Sequence, residues 1–474
     1  MFELHHLTAH EQWDWLHRGE ITPTELAEHY LARIDRLNGE VGAFITVTRD
    51  EALRRAAELP DLVERSATLW GLPIGDKDLN QRAGVRTTFG SALFADFVPD
   101  TTDEIVTVLD AAGAVSLGKT NAPEFGLPSY TENRVAPPAR NPYDTALGAG
   151  GSSGGAAVAV AAGLLPVAPG SDGGGSVRIP AAATGLVGLK PSRGLVPAGS
   201  GIPSLAGLVV PGPLARTVAD AALLLDAMIA RVNGRIAHPF TLRAPDDGAP
   251  LLGAAVRGEG RFQLGVMTTS PWDSAYEITL DAEARVALEV AVRELDAVGH
   301  GLEELALLPD DTYAPAFRTV WQAGAAGIRA EGAELDRVEP LTRWLIERGR
   351  SLSARDLAQA LAALAAYERS VIAQFSSFDA VVTPALAQTP RPVGWYDAED
   401  GERNFAQQVQ YTPFTSFANV TGLPAITLPV HVTPEGLPMG VQLVGRPGGE
   451  ATLVSIGTQL ERRLRWHRRH PPQW

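Results

Sequence analysis

GAGGSSGGAAVAVAAGLLPVAPGSDGGGSVRIP, from Gly148 to Pro180, sets Ser152 and Ser153 between two glycine pairs, crosses a small-residue segment and reaches a second glycine run that ends on Ser176. A flexible Gly/Ser linker would not be interrupted by an Ala/Val/Leu element and closed by an arginine and a proline. The stretch is instead predicted as two glycine turns around a buried helix, each turn presenting a serine. Without Cβ atoms, Gly173, Gly174 and Gly175 can turn several N–H groups to one point, a preorganised cradle for developing negative charge. Ser176 would sit beside that oxyanion hole. A serine hydroxyl is a weak nucleophile, so a base must lie within hydrogen-bond reach.

The search for that base is narrowed by the basic residues. Of 40 lysines and arginines only Lys77, Lys119 and Lys190 are lysine. Arginine stays charged in proteins, whereas a lysine can lose its proton, so an amine base has three candidates. Lys77 follows Leu72-Pro73-Ile74 at the end of a predicted core strand, where open α/β sheets place their chemistry. None of the ten histidines has the spacing of a metal site or stands near a serine motif, and His5, His6 and His10 read as an exposed turn. Arg178 occupies the last position of a would-be G-x-S-x-G elbow around Ser176, which disfavours a Ser-His-Asp hydrolase.

Outward from this stretch, residues 1–65 read as an outer helical layer. Thr22-Pro23-Thr24-Glu25 is a capping box with proline at the first helical position, and Leu26, Tyr30, Ile34 and Leu37 follow on one face. Across 66–230 short apolar runs punctuated by Gly and Pro alternate with helices, which predicts an α/β core with a central sheet covered by helices on both faces. Leu214–Ile229 reads as an apolar amphipathic helix, 230–260 as a loop, and 270–375 as mainly helical, with Trp321 and Trp344 assigned to the core. Strands return across 380–474, and RRLRWHRRHPPQW reads as a solvated helix end. The whole of 1–474 is expected to form a single domain. Residues 113–120, GAVSLGKT, match a phosphate-loop pattern, but a helix precedes them and Asn121-Ala122-Pro123 follows where a helix should start. No nucleotide site is expected there.

Composition excludes several classes. A net charge of -15 with no basic block argues against nucleic acid or an anionic membrane as partner. Cysteine is absent, which removes disulfides and thiolate metal ligands. The N-terminal MFELHHLTAHEQWDWLHRGE lacks the apolar core of a signal peptide, and no apolar run reaches the roughly 20 residues a bilayer requires. A cytoplasmic protein is expected.

Gly150-Gly151-Ser152-Ser153-Gly154-Gly155 followed by Asp172-Gly173-Gly174-Gly175-Ser176-Val177-Arg178-Ile179-Pro180 resembles the amidase signature family. So do Gly71-Leu72-Pro73-Ile74 with Lys77-Asp78, Gly118-Lys119-Thr120-Asn121 with Pro123-Glu124, Arg140-Asn141-Pro142, Gly188-Leu189-Lys190-Pro191 and Thr421-Gly422-Leu423-Pro424-Ala425. Motif order is kept from about residue 5 to 465. The resemblance, which extends to aryl acylamidases, nylon-oligomer amidases and urethanases, implies the amidase signature fold, with one large mixed twisted β-sheet. It also implies a Ser-cisSer-Lys triad in which Ser176 is the nucleophile, Ser152 the bridging serine in a cis peptide and Lys77 the base. The oxyanion-hole amides map to Gly173, Gly174, Gly175 and Ser176, and Gly126 with Ser152 to substrate contact. Asp172 and Arg178 are expected to support the glycine turn, and Lys119 and Lys190 to be structural.

On this reading an uncharged Lys77 takes a proton from Ser152, which takes it from Ser176 as Ser176 attacks a carbonyl. The relay calls for no metal or organic cofactor. The expected substrate is a small amide, with carbamates (urethanes) and esters as further candidates, and homodimerisation is left open. Leu147-Gly148-Ala149 departs from the usual lead-in to the first glycine pair, and Leu127 to Asn133 follows no pattern, so specificity stays open. Pocket walls are expected from 125–135, 315–350 and 390–420. Two other readings compete: the glutaminase subunit of a tRNA-dependent amidotransferase, which shares these motifs, and a binding protein of the same fold without activity.

Overall fold

The computed structural model describes residues 3–197, 204–229, 231–232, 235–236 and 249–474. The N-terminal segment is mostly helical, interrupted by the strand Phe44–Val47. Thr22 caps the helix Pro23–Val41: its hydroxyl accepts from the Glu25 N–H at 3.2 Å while the Glu25 carboxylate accepts from the Thr22 N–H at 2.8 Å. Leu26, Tyr30, Ile34 and Leu37 lie on the buried side of that helix. The neighbouring helix Arg49–Leu62 buries only Ala52, Ala56 and Leu59, as a polar surface helix should.

Eight strands form the large sheet, in the order Gly301–Glu304, Gln263–Val266, Ala380–Pro384, Pro438–Gly445, Ala425–Val432, Val187–Lys190, Val210–Ala215 and Val167–Asp172. The first three run parallel and every later pairing is antiparallel, so the sheet is mixed. Its two faces follow from strand period. Ile426, Leu428 and Val430 with Met439, Val441 and Leu443 join the core that holds the helices Ala282–Val298 and Glu450–Leu464. Ala425 and Val444 turn to the opposite core, built on the helices Tyr313–Ala326 and Ala354–Phe375.

The strand Pro73–Lys77 belongs to a second sheet, of three strands, in the order Phe44–Val47, Val115–Thr120, Pro73–Lys77. It runs parallel to Val115–Thr120 after the crossover helix Glu104–Ala111, and packs beside the edge strand Val167–Asp172 of the large sheet. Lys77 therefore reaches the Gly148–Pro180 stretch across the junction of two sheets. The helix Gly154–Ala161 is buried at every residue, as its small side chains allow. Around Gly113–Thr120 the chain runs helix, then strand, so the phosphate-loop arrangement does not occur.

Several expectations are corrected. Leu214 and Ala215 end a strand, and the helix runs from Val218 to Met228 with Thr217 as its cap. That helix is buried on nearly all sides, because its sequence has no polar face to expose. The helix Leu251–Arg257 occupies part of the expected 230–260 loop, about half of which lies outside the described residues. His5 is buried rather than exposed, its ring 5.3 Å from that of His29 and 5.1 Å from that of Trp474. The C-terminal cluster is packed too: Trp466 is buried and the Arg216 guanidinium lies 4.8 Å over the Trp474 ring. Arginine and tryptophan carry enough apolar body to close a core edge, which a charge-based reading overlooks. Among the described residues no helix is long and apolar enough to cross a membrane.

Gly155 marks the closest approach between the stretch and the three-stranded sheet. A Cβ there would overlap the Asn121 amide nitrogen and stand 2.5 Å from the Ala43 carbonyl oxygen. Gly155→Ala should accordingly destabilise the fold by about 2 kcal/mol or more, whereas Thr22→Ala, which removes one exposed cap, should cost about 1 kcal/mol. Urea unfolding followed by circular dichroism measures both.

Candidate active site

Lys77 ends its strand wholly buried, with its amine among hydroxyls. Nζ lies 2.8 Å from Ser152 Oγ, 2.9 Å from Ser153 Oγ and 3.0 Å from Ser171 Oγ, and 3.3 Å from the Ser171 carbonyl oxygen. None of these partners carries charge. Burial pulls the Lys77 pKa down from its usual value to about 7, against the smaller opposing field of Asp172. The peptide between Gly151 and Ser152 is cis. Ser153 and Ser171 were missed by the sequence reading. The available signal was their position, one beside Ser152 and the other beside Asp172.

Asp172 does not reach the amine because Arg178 holds it. The guanidinium donates to both carboxylate oxygens, at 2.8 Å and 2.9 Å, with both side chains fully buried. Burial alone would raise the Asp172 pKa, but the Arg178 charge overrides it and keeps the carboxyl well below the usual range. The same carboxylate accepts from the N–H groups of Gly175 at 2.8 Å and Val177 at 3.1 Å, which shapes the glycine turn. Arg178 is anchored in turn by Gln442 Oε1 at 2.5 Å, the Thr415 carbonyl at 2.8 Å and Asn419 Oδ1 at 2.7 Å. Gly175 has φ +132, and a Cβ there would overlap Thr415, so only glycine fits this turn.

The turn differs in one respect from expectation. The Gly175 N–H is spent on Asp172, whereas the N–H groups of Gly173, Gly174 and Ser176 meet no acceptor among the described residues. Three donors, rather than four, are therefore open to a ligand. Gly126, with φ +68, approaches Ser152 so closely that a Cβ would come within 3.3 Å of Ser152 Oγ.

The other two lysines stand apart. Lys119 donates to the Asn80 carbonyl oxygen and to Thr87 Oγ1 at 3.2 Å, and Lys190 donates to the Pro191 carbonyl oxygen at 2.9 Å. Burial lowers Lys190 to about 7 as well. A depressed pKa thus does not separate Lys77 from Lys190. Its serine neighbours do.

Ser176 borders two cavities, which share three lining residues and are called lobes below, and Ser152 lines the larger of the two. The larger holds ≈ 740 Å³ of empty space open to solvent and is lined by Gly126, Ser152, Gly173, Leu205, Val320 and Ile328 among others. The smaller, ≈ 480 Å³, is lined by Gly174, Ile179, Trp272, Phe405, Gln408 and Val409 among others. Trp321, Leu127 and Ser176 border both. No charged side chain lines either lobe among the described residues. Trp321 is a cavity wall and not core, because its helix presents it over the glycine turn. Trp344 stays outside, beside Phe405 and the Arg318 guanidinium. The expected wall segments contribute, but Leu79, Ser204–Val209 and Trp272 join them without any sequence signal.

A family model described as Amidase matches residues 25–454. The chain is similar to AmiB2, a putative amidase of Mycobacterium tuberculosis, 37% identical over 460 residues that cover 96% of this chain and 95% of that protein. It is 35% identical to a glutamyl-tRNA(Gln) amidotransferase subunit of Chloroflexus aggregans over 500 residues, 99% of each chain. Among solved structures, that of 6-aminohexanoate cyclic dimer hydrolase complexed with substrate superposes with a TM-score of 0.89 at 30% identity, covering 99% of both chains.

Arg178→Met would leave Asp172 as a buried, unpaired carboxylate and should cost about 3–5 kcal/mol of stability. The double variant Asp172→Asn/Arg178→Met should recover part of that loss. Chemical denaturation of the two proteins checks the difference.

Proposed function

The chain belongs to the amidase family, and on that footing we propose that it is a serine hydrolase that cleaves the C–N bond of small uncharged amides, carbamates among them, through an acyl-enzyme on Ser176. The observation that carries this reading is the Lys77 amine 2.8 Å from Ser152 Oγ, with no free carboxylate beside it. A protonated amine could only donate there; a neutral one has a lone pair to offer the Ser152 hydroxyl.

As Ser176 Oγ attacks the substrate carbonyl, its proton passes to Ser152 and the Ser152 proton to Lys77 Nζ. The carbonyl π pair moves onto oxygen, and the N–H groups of Gly173, Gly174 and Ser176 are the donors free to receive that negative charge. On collapse the C–N bond breaks with its electron pair to nitrogen, and the proton returns from Lys77 through Ser152 to the leaving amine. Water then attacks the acyl-enzyme by the same relay, giving the acid and free Ser176.

A second reading, the glutaminase component of an amidotransferase, draws support from the 35% identity to the Chloroflexus aggregans protein. Free glutamine carries an α-ammonium and an α-carboxylate, and burying either unpaired is costly. Both lobes lack charged side chains among the described residues, which favours neutral substrates over glutamine.

Ser176→Ala and Lys77→Ala should each lower kcat/KM for a neutral p-nitroanilide by about a thousandfold or more. For the wild type, kcat/KM should rise with pH through about 7 and then level off, because the neutral amine is the active form and burial has brought its pKa down to that range. Lys77→Arg should remain inactive at every pH, since a guanidinium keeps its proton. Steady-state rates from pH 5 to 9 test all three, and wild-type turnover in Ser176→Ala would exclude the mechanism.

A further inference from the structure

We infer that the two lobes have fixed and different tasks: the larger, apolar lobe that contains Ser152 receives the leaving amine, and the smaller lobe beneath Trp272 receives the acyl group. The preferred substrate class is then an amide of a bulky, uncharged amine, aryl or long-chain alkyl, on an acyl group of moderate size. This assignment rests on the amide-hydrolase reading above.

The direction of proton return decides it. When the tetrahedral adduct collapses, the nitrogen leaves with the electron pair of the C–N bond and must take a proton in the same step. In the relay the donor at that moment is Ser152 Oγ, so the nitrogen must lie within hydrogen-bond reach of it, roughly 3 Å. Ser152 lines the larger lobe and not the smaller one. The hydroxyl and amide groups that line the smaller lobe, Ser129, Gln408, Thr412 and Ser416, make no hydrogen bond to Lys77 and so have no part in the relay.

Trp321 keeps the two sides separate. It borders both lobes, stacks on Phe317 with ring centroids 5.5 Å apart, and stands within 4.0 Å of where Cβ atoms on Gly173 and Gly174 would be. A scissile bond placed against Ser176 and the glycine turn thus has its two substituents directed to opposite sides of the indole.

The walls then set the chemistry of each substituent. Beyond Ser152, Ser171, Ser176 and Ser204, the side chains of the larger lobe are Leu, Val, Ala and Ile with Phe125 and Trp321, which stabilise apolar surface and offer no charge to an ammonium. The smaller lobe carries polar side chains as well, most of them engaged within the protein. Gln408 donates to Asn404 Oδ1 at 2.7 Å and accepts from the Ser129 N–H at 2.7 Å, and Ser416 Oγ accepts from Trp272 Nε1 at 3.0 Å. An acyl chain ending in a carboxylate would find no cationic side chain among the described lining residues to offset its charge.

Two substrate series separate the lobes: acetyl amides of methylamine, hexylamine and aniline, and p-nitroanilides of acyl groups from two to eight carbons. Gly324 lines the larger lobe, and a Cβ on it meets nothing within 4 Å, so Gly324→Leu fills that lobe without a clash at Cβ. It should lower kcat/KM for the hexylamide and anilide at least tenfold relative to the methylamide while the acyl-length profile keeps its shape. Val409→Ala should widen the smaller lobe and move the acyl-length optimum to longer chains, with the amine-size profile unmoved. The deacylation rate constant for a given acyl group, read after a burst, should respond to Val409→Ala and not to Gly324→Leu, because the amine has by then departed. The reverse pattern, or equal effects of either variant on both series, would overturn the assignment while leaving the hydrolase reading intact. Failure of the wild type to turn over any neutral amide would instead remove the hydrolase reading and this assignment with it. Circular dichroism on both variants confirms that the comparison is made between folded proteins.

Discussion

Everything at this site depends on a buried amine being denied a counter-ion. Lys77 has neutral oxygens for neighbours, and the negative charge that could stabilise its protonated form, Asp172, is bound to Arg178 by two hydrogen bonds. At a separation of a few ångströms, an unshared carboxylate would favour the charged amine by several kcal/mol even at an effective dielectric constant of about 20. Arg178 therefore acts on Lys77 without touching it. The same ion pair also draws the Gly175 and Val177 N–H groups inward, which leaves the remaining amides of the turn free to face the cavity. One buried pair thereby bears on the protonation of Lys77 and on the shape of the glycine turn together.

Lys190 supplies an internal control. It is as buried as Lys77, and burial lowers its pKa to the same region, yet its amine meets one carbonyl oxygen of the adjoining residue. A neutral amine without a proton partner can do no acid–base work. What turns desolvation into chemistry at Lys77 is the placement of Ser152, Ser153 and Ser171, contributed by the turn before one helix and the end of one strand. Those elements converge because small residues allow it: Gly155 lets the first turn lie against Asn121, and the buried helix Gly154–Ala161 has no side chain large enough to hold the sheets apart.

Much of this was legible before any coordinates. The scarcity of lysine and the glycine runs singled out residues that the structure brings together at Lys77 and Ser152, and the capping box at Thr22 and the strands from residue 380 onward fell where their local patterns placed them. These are short-range signals, carried by neighbours in the chain. What failed depended on distant partners. Trp321 was assigned to the core because a tryptophan in a helical run has no local mark of cavity or core. His5 and the C-terminal Arg/His segment were assigned to solvent because nothing in either stretch announces that Trp474 will pack against both Arg216 and His5. The separation of Lys77 onto its own three-stranded sheet was likewise invisible, since strand pairing across two sheets has no period in one sequence.

The division of labour along the chain has a physical logic. The groups assigned to the proposed relay and the amides of the glycine turn come from residues 77 to 178, held by backbone hydrogen bonds and a buried ion pair that tolerate little change in position. The cavity walls come largely from elsewhere, from the helices Tyr313–Ala326 and Gly401–Tyr411 and from Trp272, most of whose lining side chains are apolar. A wall residue can change volume without moving Lys77, whereas a change at Asp172 or Arg178 would alter the base and the cradle at once. Specificity can drift on such a scaffold while the relay stays fixed, and the chain retains full-length similarity both to a cyclic-dimer hydrolase and to a component of a tRNA-dependent amidotransferase, proteins named for different substrates.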